Sequence, residues 1–195
     1  MIFSTLLAYL LGGLPFGYWF VRLTSGRDIR TMGSGNIGAT NVQRSMGTKA
    51  GVVVLLLDIL KGFLAVWIAA LWTHGNTTAL ALAVGAVMLG HCYPIFLRFK
   101  GGKAVACFVG AFLYLAPLAL LETTAVFVVV VALCRYVSLG SILGAFIFPF
   151  ALWVINRPPL NILYASIFAA ALVIYRHKGN IARLRAGKEN RFGSK

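Results

Sequence analysis

Ala104-Val-Ala-Cys-Phe-Val-Gly-Ala-Phe-Leu-Tyr-Leu-Ala-Pro117-Leu-Ala-Leu-Leu-Glu122-Thr-Thr-Ala-Val-Phe-Val-Val-Val-Val-Ala-Leu133 is apolar throughout apart from Pro117, Glu122 and the threonines after it. A membrane span needs about 20 apolar residues, so this run is too long for one and short of the roughly 40 that two would use. How it is divided decides the topology of the whole chain.

The surrounding sequence shows that the solvent is lipid. Of the 195 residues, 60% are hydrophobic, and mean hydropathy is +0.88. Soluble domains carry about 25% charged residues; here the figure is 11%. Such a chain cannot cover itself with polar surface, and it reads as an all-α integral membrane protein with one membrane-embedded domain over residues 1–195. Further apolar segments run over Ile2 to Leu23, Ala50 to Trp72, Thr77 to Leu97, Leu139 to Ile155 and Leu160 to Tyr175. The first has no basic leader or cleavage site and reads as a span, not a removable signal.

Charge divides the long run. The chain holds 18 Lys and Arg against 4 acidic residues, a formal net charge of +14. If the chain reverses near Glu122, every Lys and Arg falls on one side except Arg157, with Lys61 inside the membrane. Without the reversal the basic tail would lie opposite the basic first loop, against the positive-inside rule. The expectation is about seven transmembrane helices, with the N-terminus outside and the C-terminus cytoplasmic. Topology then accounts for the positive charge, which leaves nucleic acid as the weakest partner. Cys92, Cys107 and Cys134 show no metal-binding spacing and read as small hydrophobes. Neither metal nor cofactor is expected. Asp58 and Lys61 stand three apart in the second span, so they share a face and read as a structural pair.

This topology gathers three polar stretches on the cytoplasmic side. The first, Gly33-Ser-Gly-Asn-Ile-Gly-Ala-Thr-Asn-Val-Gln-Arg44, combines flexible backbone with Ser34, Asn36, Thr40 and Asn41 as neutral hydrogen-bonding groups. Arg44 adds a planar cation suited to phosphate. The second, Lys100-Gly101-Gly102-Lys103, precedes an apolar helix, where bare backbone amides and a lysine make an anion site. It is not a Walker A loop, because G-x-x-x-x-G-K-[ST] is absent. The third follows the last span and carries His177, Asn180, Arg183 and Glu189. His177 and Asn180 would project together from a helix, while Glu189, among cations, reads as a structural pairing group. Together the stretches suit a phosphate-bearing molecule presented beside acyl chains.

Ser34-Gly-Asn-Ile-Gly-Ala-Thr-Asn-Val-Gln-Arg44, Phe99-Lys-Gly-Gly-Lys103 with Ala104-Val105-Ala106, and His177-x-x-Asn180-Ile-x-Arg183-Leu-x-x-Gly187-x-Glu189 closely resemble the three motifs of the bacterial acyl-phosphate–glycerol-3-phosphate acyltransferases, the PlsY family. Length, hydropathy and motif order agree across nearly the whole chain. The middle motif departs from the GGKGVAT pattern, with Ala104 in place of a glycine and Cys107 in place of a threonine.

The resemblance implies an enzyme of the bacterial cytoplasmic (inner) membrane, its active site facing the cytoplasm. The implied reaction transfers a fatty acyl group from acyl phosphate to the 1-hydroxyl of sn-glycerol 3-phosphate, giving lysophosphatidate and phosphate. On this reading Gly101, Gly102 and Lys103 bind glycerol phosphate and Ser34 and Arg44 complete the anion site. Asn36, Thr40 and Asn41 position the substrates, the acyl-phosphate carbonyl included. His177 and Asn180 close the site. The base is either His177 or the substrate phosphate, whose second pKa is near 6. Ser34 as an acyl-bearing nucleophile is disfavoured by the absence of G-x-S-x-G. Two further functions stand beside this one: an acyl-CoA-dependent acyltransferase, although no H-x-x-x-x-D follows any histidine, and a carrier for organic phosphates, although no internal repeat is visible.

Overall fold

The computed structural model describes residues 1–193; Ser194 and Lys195, the latter counted above in the basic tail, lie outside the described residues. All described regular structure is helical, and it forms two compact units, the first over Met1–Tyr114 and the second from Leu115 onward.

In the first unit, α1 (Ile2–Gly13) and α2 (Phe16–Ser25) are separated by Leu14 and Pro15. Proline removes a donor and kinks a helix, so the expected first span is a broken one. α3 (Ala39–Met46) is a short amphipathic helix, followed by α4 (Thr48–Trp72), α5 (Thr77–Cys92) and α6 (Val105–Leu115). The Asn76 side chain caps α5 by accepting the Ala79 amide at 3.1 Å.

Lipid supplies no hydrophobic drive between helices, so close backbone packing must hold them. Glycine makes that approach here. α1 packs on α5 with Gly12 against the Val87 carbonyl and Gly90 against the Tyr9 carbonyl. α4 meets α6 with Gly62 against the Cys107 carbonyl and Gly110 against the Ile59 carbonyl. At each of these positions a Cβ would overlap backbone. Large apolar side chains such as Leu6, Leu10, Leu56 and Trp67 stand exposed on the other helix faces, as lipid-facing residues do.

The second unit holds α7 (Pro117–Cys134), α8 (Val137–Asn156), α9 (Leu160–Arg176) and α10 (Lys178–Arg185). α7 packs on α8 at Gly140 and Gly144, α8 packs on α9, and α10 leaves α9 at 55°. The chain after α10 turns back to the link between α7 and α8: Arg135 Nε donates to the Phe192 carbonyl at 3.1 Å.

Five segments are long and apolar enough to span a bilayer, or six if α9 and α10 count as one bent span. The long run Ala104 to Leu133 differs in detail from the expectation. Its helix breaks at Ala116, because Pro117 starts α7 at the position where its fixed φ and missing N–H are tolerated. Glu122 lies exposed in the second turn of α7, not at a reversal. The 11 residues of α6 extend only about 16 Å at 1.5 Å each, short of a full crossing.

Candidate active site

The first polar stretch is built around one side chain. Asn41 is only 2% exposed. Its Oδ1 accepts the Ser34 amide at 2.9 Å, and its Nδ2 donates to the carbonyls of Asn36, Met32 and Ile29 at 2.8, 3.0 and 3.3 Å. Gly33 and Gly35, with φ of +52° and +70°, allow the chain to curl around that amide. Asn36 Oδ1 accepts the Gly38 amide at 3.0 Å, and the Gly38 carbonyl then starts α3. Val21, Ile29, Ile37, Val42 and Val54 form the apolar floor beneath. At the loop entrance Asp28 grips Arg30 Nε and Nη2 at 3.0 and 2.7 Å, and that hydrogen bonding holds the Asp28 carboxyl below its usual range.

What remains outward is Ser34 and Arg44, both exposed, and the half-buried Asn36 and Thr40. The Asn41 side chain, expected to position substrate, has its amide committed to the loop, where it holds the Ser34 amide and the Asn36 carbonyl.

The second stretch follows α5. Pro94 opens a short 3-10 turn over Ile95–Leu97, and Arg98 and Phe99 then adopt left-handed φ of +52° and +61°. The Gly101 and Gly102 amides are not bare, as the sequence alone suggested. They donate to the Cys92 and His91 carbonyls at 3.1 and 3.0 Å. Both glycines are also closely packed: a Cβ on Gly101 would overlap the His91 carbonyl and one on Gly102 would overlap His91 Nε2. Ala104, buried, takes a φ of +59° and turns the chain into α6. The amides without an intrahelical acceptor are those of the first turn of α6, which begins two residues after the half-buried Lys103. An ammonium beside a helix amino terminus favours an anion.

Beneath these loops lies a buried polar group. Lys61 Nζ sits 2.8 Å from Asp58 Oδ1 and donates to the Leu14 carbonyl at 2.7 Å. His91 Nδ1 stands 3.8 Å from the same carboxylate oxygen. Ligand atoms of Asp58, His91 and Cys107 lie within 4.8 Å of one another, close enough for a metal. The Lys61 ammonium already answers the carboxylate charge, however, and would repel a second cation there. The donor set therefore fits an ion pair.

The third stretch belongs to the second unit. His177 joins α9 to α10, buried, with Nδ1 2.7 Å from the Val173 carbonyl, which assigns the proton to Nδ1. Glu189 is the hub of the tail. It accepts from Asn180 Nδ2 at 2.6 Å, Ser138 Oγ at 2.8 Å and Arg183 Nε at 2.7 Å. Burial raises its carboxyl pKa, but these three donors outweigh burial and hold it below the usual carboxylate range. Sequence reasoning gave no role to His91 or Ser138. His91 carried one usable signal, an ionisable group close to membrane depth; Ser138 carried none.

The fold defines a polytopic integral membrane protein with polar loops held by glycine turns and buried hydrogen bonds. The family model for glycerol-3-phosphate acyltransferase matches residues 2–187. A glycerol-3-phosphate acyltransferase of Syntrophotalea carbinolica is 46% identical, covering 96% of this chain and 95% of that protein. The one from Aquifex aeolicus is 43% identical with 98% of each chain covered. The crystal structure of PlsY (YgiH), an integral membrane glycerol 3-phosphate acyltransferase, is similar in its glycerol 3-phosphate form with a TM-score of 0.94 at 43% identity, covering 98% of this chain and 95% of that one. Its lysophosphatidic acid form gives 0.90 at 41% identity. The chain belongs to the glycerol-3-phosphate acyltransferase family.

Proposed function

We propose that the protein transfers a fatty acyl group from acyl phosphate to the 1-hydroxyl of glycerol 3-phosphate. The observation that carries this reading is the match, over 98% of the chain, to a membrane acyltransferase described in glycerol 3-phosphate and lysophosphatidic acid forms. Acceptor and product class follow from it by analogy. The donor rests on the motif resemblance and on chemistry.

Acyl phosphate is a mixed anhydride with a good leaving group, so the enzyme need mainly hold two phosphates that repel each other and align hydroxyl with carbonyl. Positioning of this kind supplies roughly 7–11 kcal/mol of a barrier. Lys103 with the first turn of α6, and Ser34 with Arg44, are the proposed phosphate-binding groups, and cations there stabilise charge developing in the transition state. Asn36 and Thr40 orient the substrates, and Gly101 and Gly102 shape the loop that presents Lys103. In the reaction the acceptor oxygen bonds to the acyl carbon, the carbon–oxygen bond to phosphate breaks, and phosphate leaves with the electron pair. The hydroxyl proton passes to phosphate or to His177. With Nδ1 protonated against Val173, the His177 atom suited to that step is Nε2. Asn180 is a proposed partner in catalysis, while its amide also anchors Glu189.

The proposed location is the bacterial inner membrane, with the polar loops cytoplasmic and α6 counted as a short seventh membrane-entering helix. The positive-inside distribution of Lys and Arg supports this orientation.

One assay tests the reaction. Purified protein given acyl phosphate and glycerol 3-phosphate should release lysophosphatidate and phosphate, and Lys103→Ala should abolish both. Lysophosphatidate formed only with acyl-CoA would overturn the donor assignment. Uptake of labelled glycerol phosphate into sealed vesicles without acylation would favour a carrier.

A further inference from the structure

Asp58, Lys61 and His91 are buried, ionisable and unused by the chemistry above. A buried ion pair adds little stability over apolar side chains of similar volume, and charges at membrane depth mark function more often than packing. The contacts around this group have a direction. The Leu14 carbonyl, at the break between α1 and α2, accepts from Lys61 Nζ. Lys61 pairs with Asp58, and the same Asp58 oxygen faces His91 Nδ1. The other ring nitrogen, Nε2, would overlap a Cβ on residue 102, and the His91 carbonyl accepts the Gly102 amide. Lys103 is the next residue.

The loop held by these contacts needs holding. Arg98, Phe99 and Ala104 all have positive φ, a conformation that residues with a Cβ keep only when their surroundings impose it. Gly101 and Gly102 contribute no side chain of their own, so the chain between the strained positions is fixed from outside, by the His91 ring and the carbonyls of His91 and Cys92.

We propose that Asp58, Lys61 and His91 are positioning residues for acceptor binding. The ion pair orients the imidazole, the imidazole seats Gly102, and Gly102 sets where Lys103 and the amino terminus of α6 stand to receive the phosphate of glycerol 3-phosphate. The inference rests on the phosphate-binding role of Lys103 proposed above.

The test separates acceptor from donor. His91→Phe keeps a ring and removes both nitrogens. The double variant Asp58→Asn/Lys61→Met removes both charges, so that neither is left buried alone. At saturating donor each should raise the KM for glycerol 3-phosphate at least about tenfold, with the donor KM within about twofold of the wild-type value. Folded variants with an unchanged acceptor KM, or with both KM values raised equally, would overturn the proposal. A second measurement uses the wild-type protein. With histidine rings labelled with nitrogen-15, saturating glycerol 3-phosphate should shift the His91 signals, and unmoved signals would sink the inference even if no variant folds. Donor dependence of wild-type turnover tests the functional reading on its own. An enzyme using only acyl-CoA would refute that reading and leave the acceptor comparison intact.

Discussion

The Ser34 amide donates to Asn41 Oδ1 across seven residues of chain, at 2.9 Å, while the other end of the same Asn41 amide holds three carbonyls. One buried side chain therefore ties the loop to the start of α3.

Asn41→Ala leaves at least one amide and several carbonyls without their partner, and each unsatisfied buried group costs about 1–3 kcal/mol. Asn41→Asp should be no milder, because carboxylate oxygens would face the carbonyls of Met32 and Asn36. Both variants are expected to lower the thermal unfolding midpoint in detergent and to lose most acyltransfer. Wild-type melting of Asn41→Ala would refute the hub role.

Ala104 sits at a φ of +59°, where a glycine is easier to accommodate. The left-handed conformation costs a residue with a Cβ about 1–2 kcal/mol, and glycine returns about 0.4–1 kcal/mol of that through the freer unfolded chain. Ala104→Gly should therefore melt at the same temperature or higher, with activity retained. Ala104→Val, which crowds a buried site as well as the backbone, should melt lower.

Two glycines test space against conformation. At Gly102 an added methyl would overlap the His91 ring, whereas at Gly26 it would meet nothing within 4 Å, although φ there is +69°. Gly102→Ala should cost acceptor affinity, read as a raised KM for glycerol 3-phosphate. Gly26→Ala should cost about 1 kcal/mol of stability and no activity.

Glu189 supplies a pH dependence with a defined sign. Its folded pKa lies below the unfolded value, so its contribution is full above the ordinary glutamate range, near 4.3, and fades as pH falls through the lowered folded value. Glu189→Gln should lose about 1.5–3 kcal/mol at pH 7, the scale for hydrogen bonds to a charged group. The gap between wild-type and variant melting temperatures should close below about pH 4. A gap independent of pH would show that the carboxylate charge is not what holds the tail.

The helices and the polar loops were legible because lipid demands long apolar runs, and glycine, asparagine and charge interrupt them visibly. The break at Ala116 was not, because a proline at the start of a helix and a proline at a reversal look alike in sequence. Gly101 and Gly102 read as bare amides because nothing in their spacing shows that the loop folds back on the end of α5, where the Cys92 and His91 carbonyls accept those amides. Asn41 had the same ambiguity. An asparagine in a polar loop has equal chemistry toward a ligand and toward its own backbone, and only the fold shows which one it faces. The Asp58–Lys61 pair was readable from its spacing, whereas Leu14 and His91, which give it direction, are remote in sequence.

The mutual approach of α4 and α6 at Gly62 and Gly110 has a consequence for the lipid. Each helix presses a glycine against the other's carbonyl, at Cys107 and Ile59, three residues from the partner glycine. A slide or rotation by one residue would drive side chains into backbone. α6, too short to be located by the bilayer's thickness, is thereby locked in height against a full-length neighbour, and Lys103 at its start is locked with it. Ordinary spans meet a thicker or thinner bilayer by tilting, but the depth of Lys103 is measured from α4. Turnover in vesicles of differing acyl-chain length should accordingly vary little.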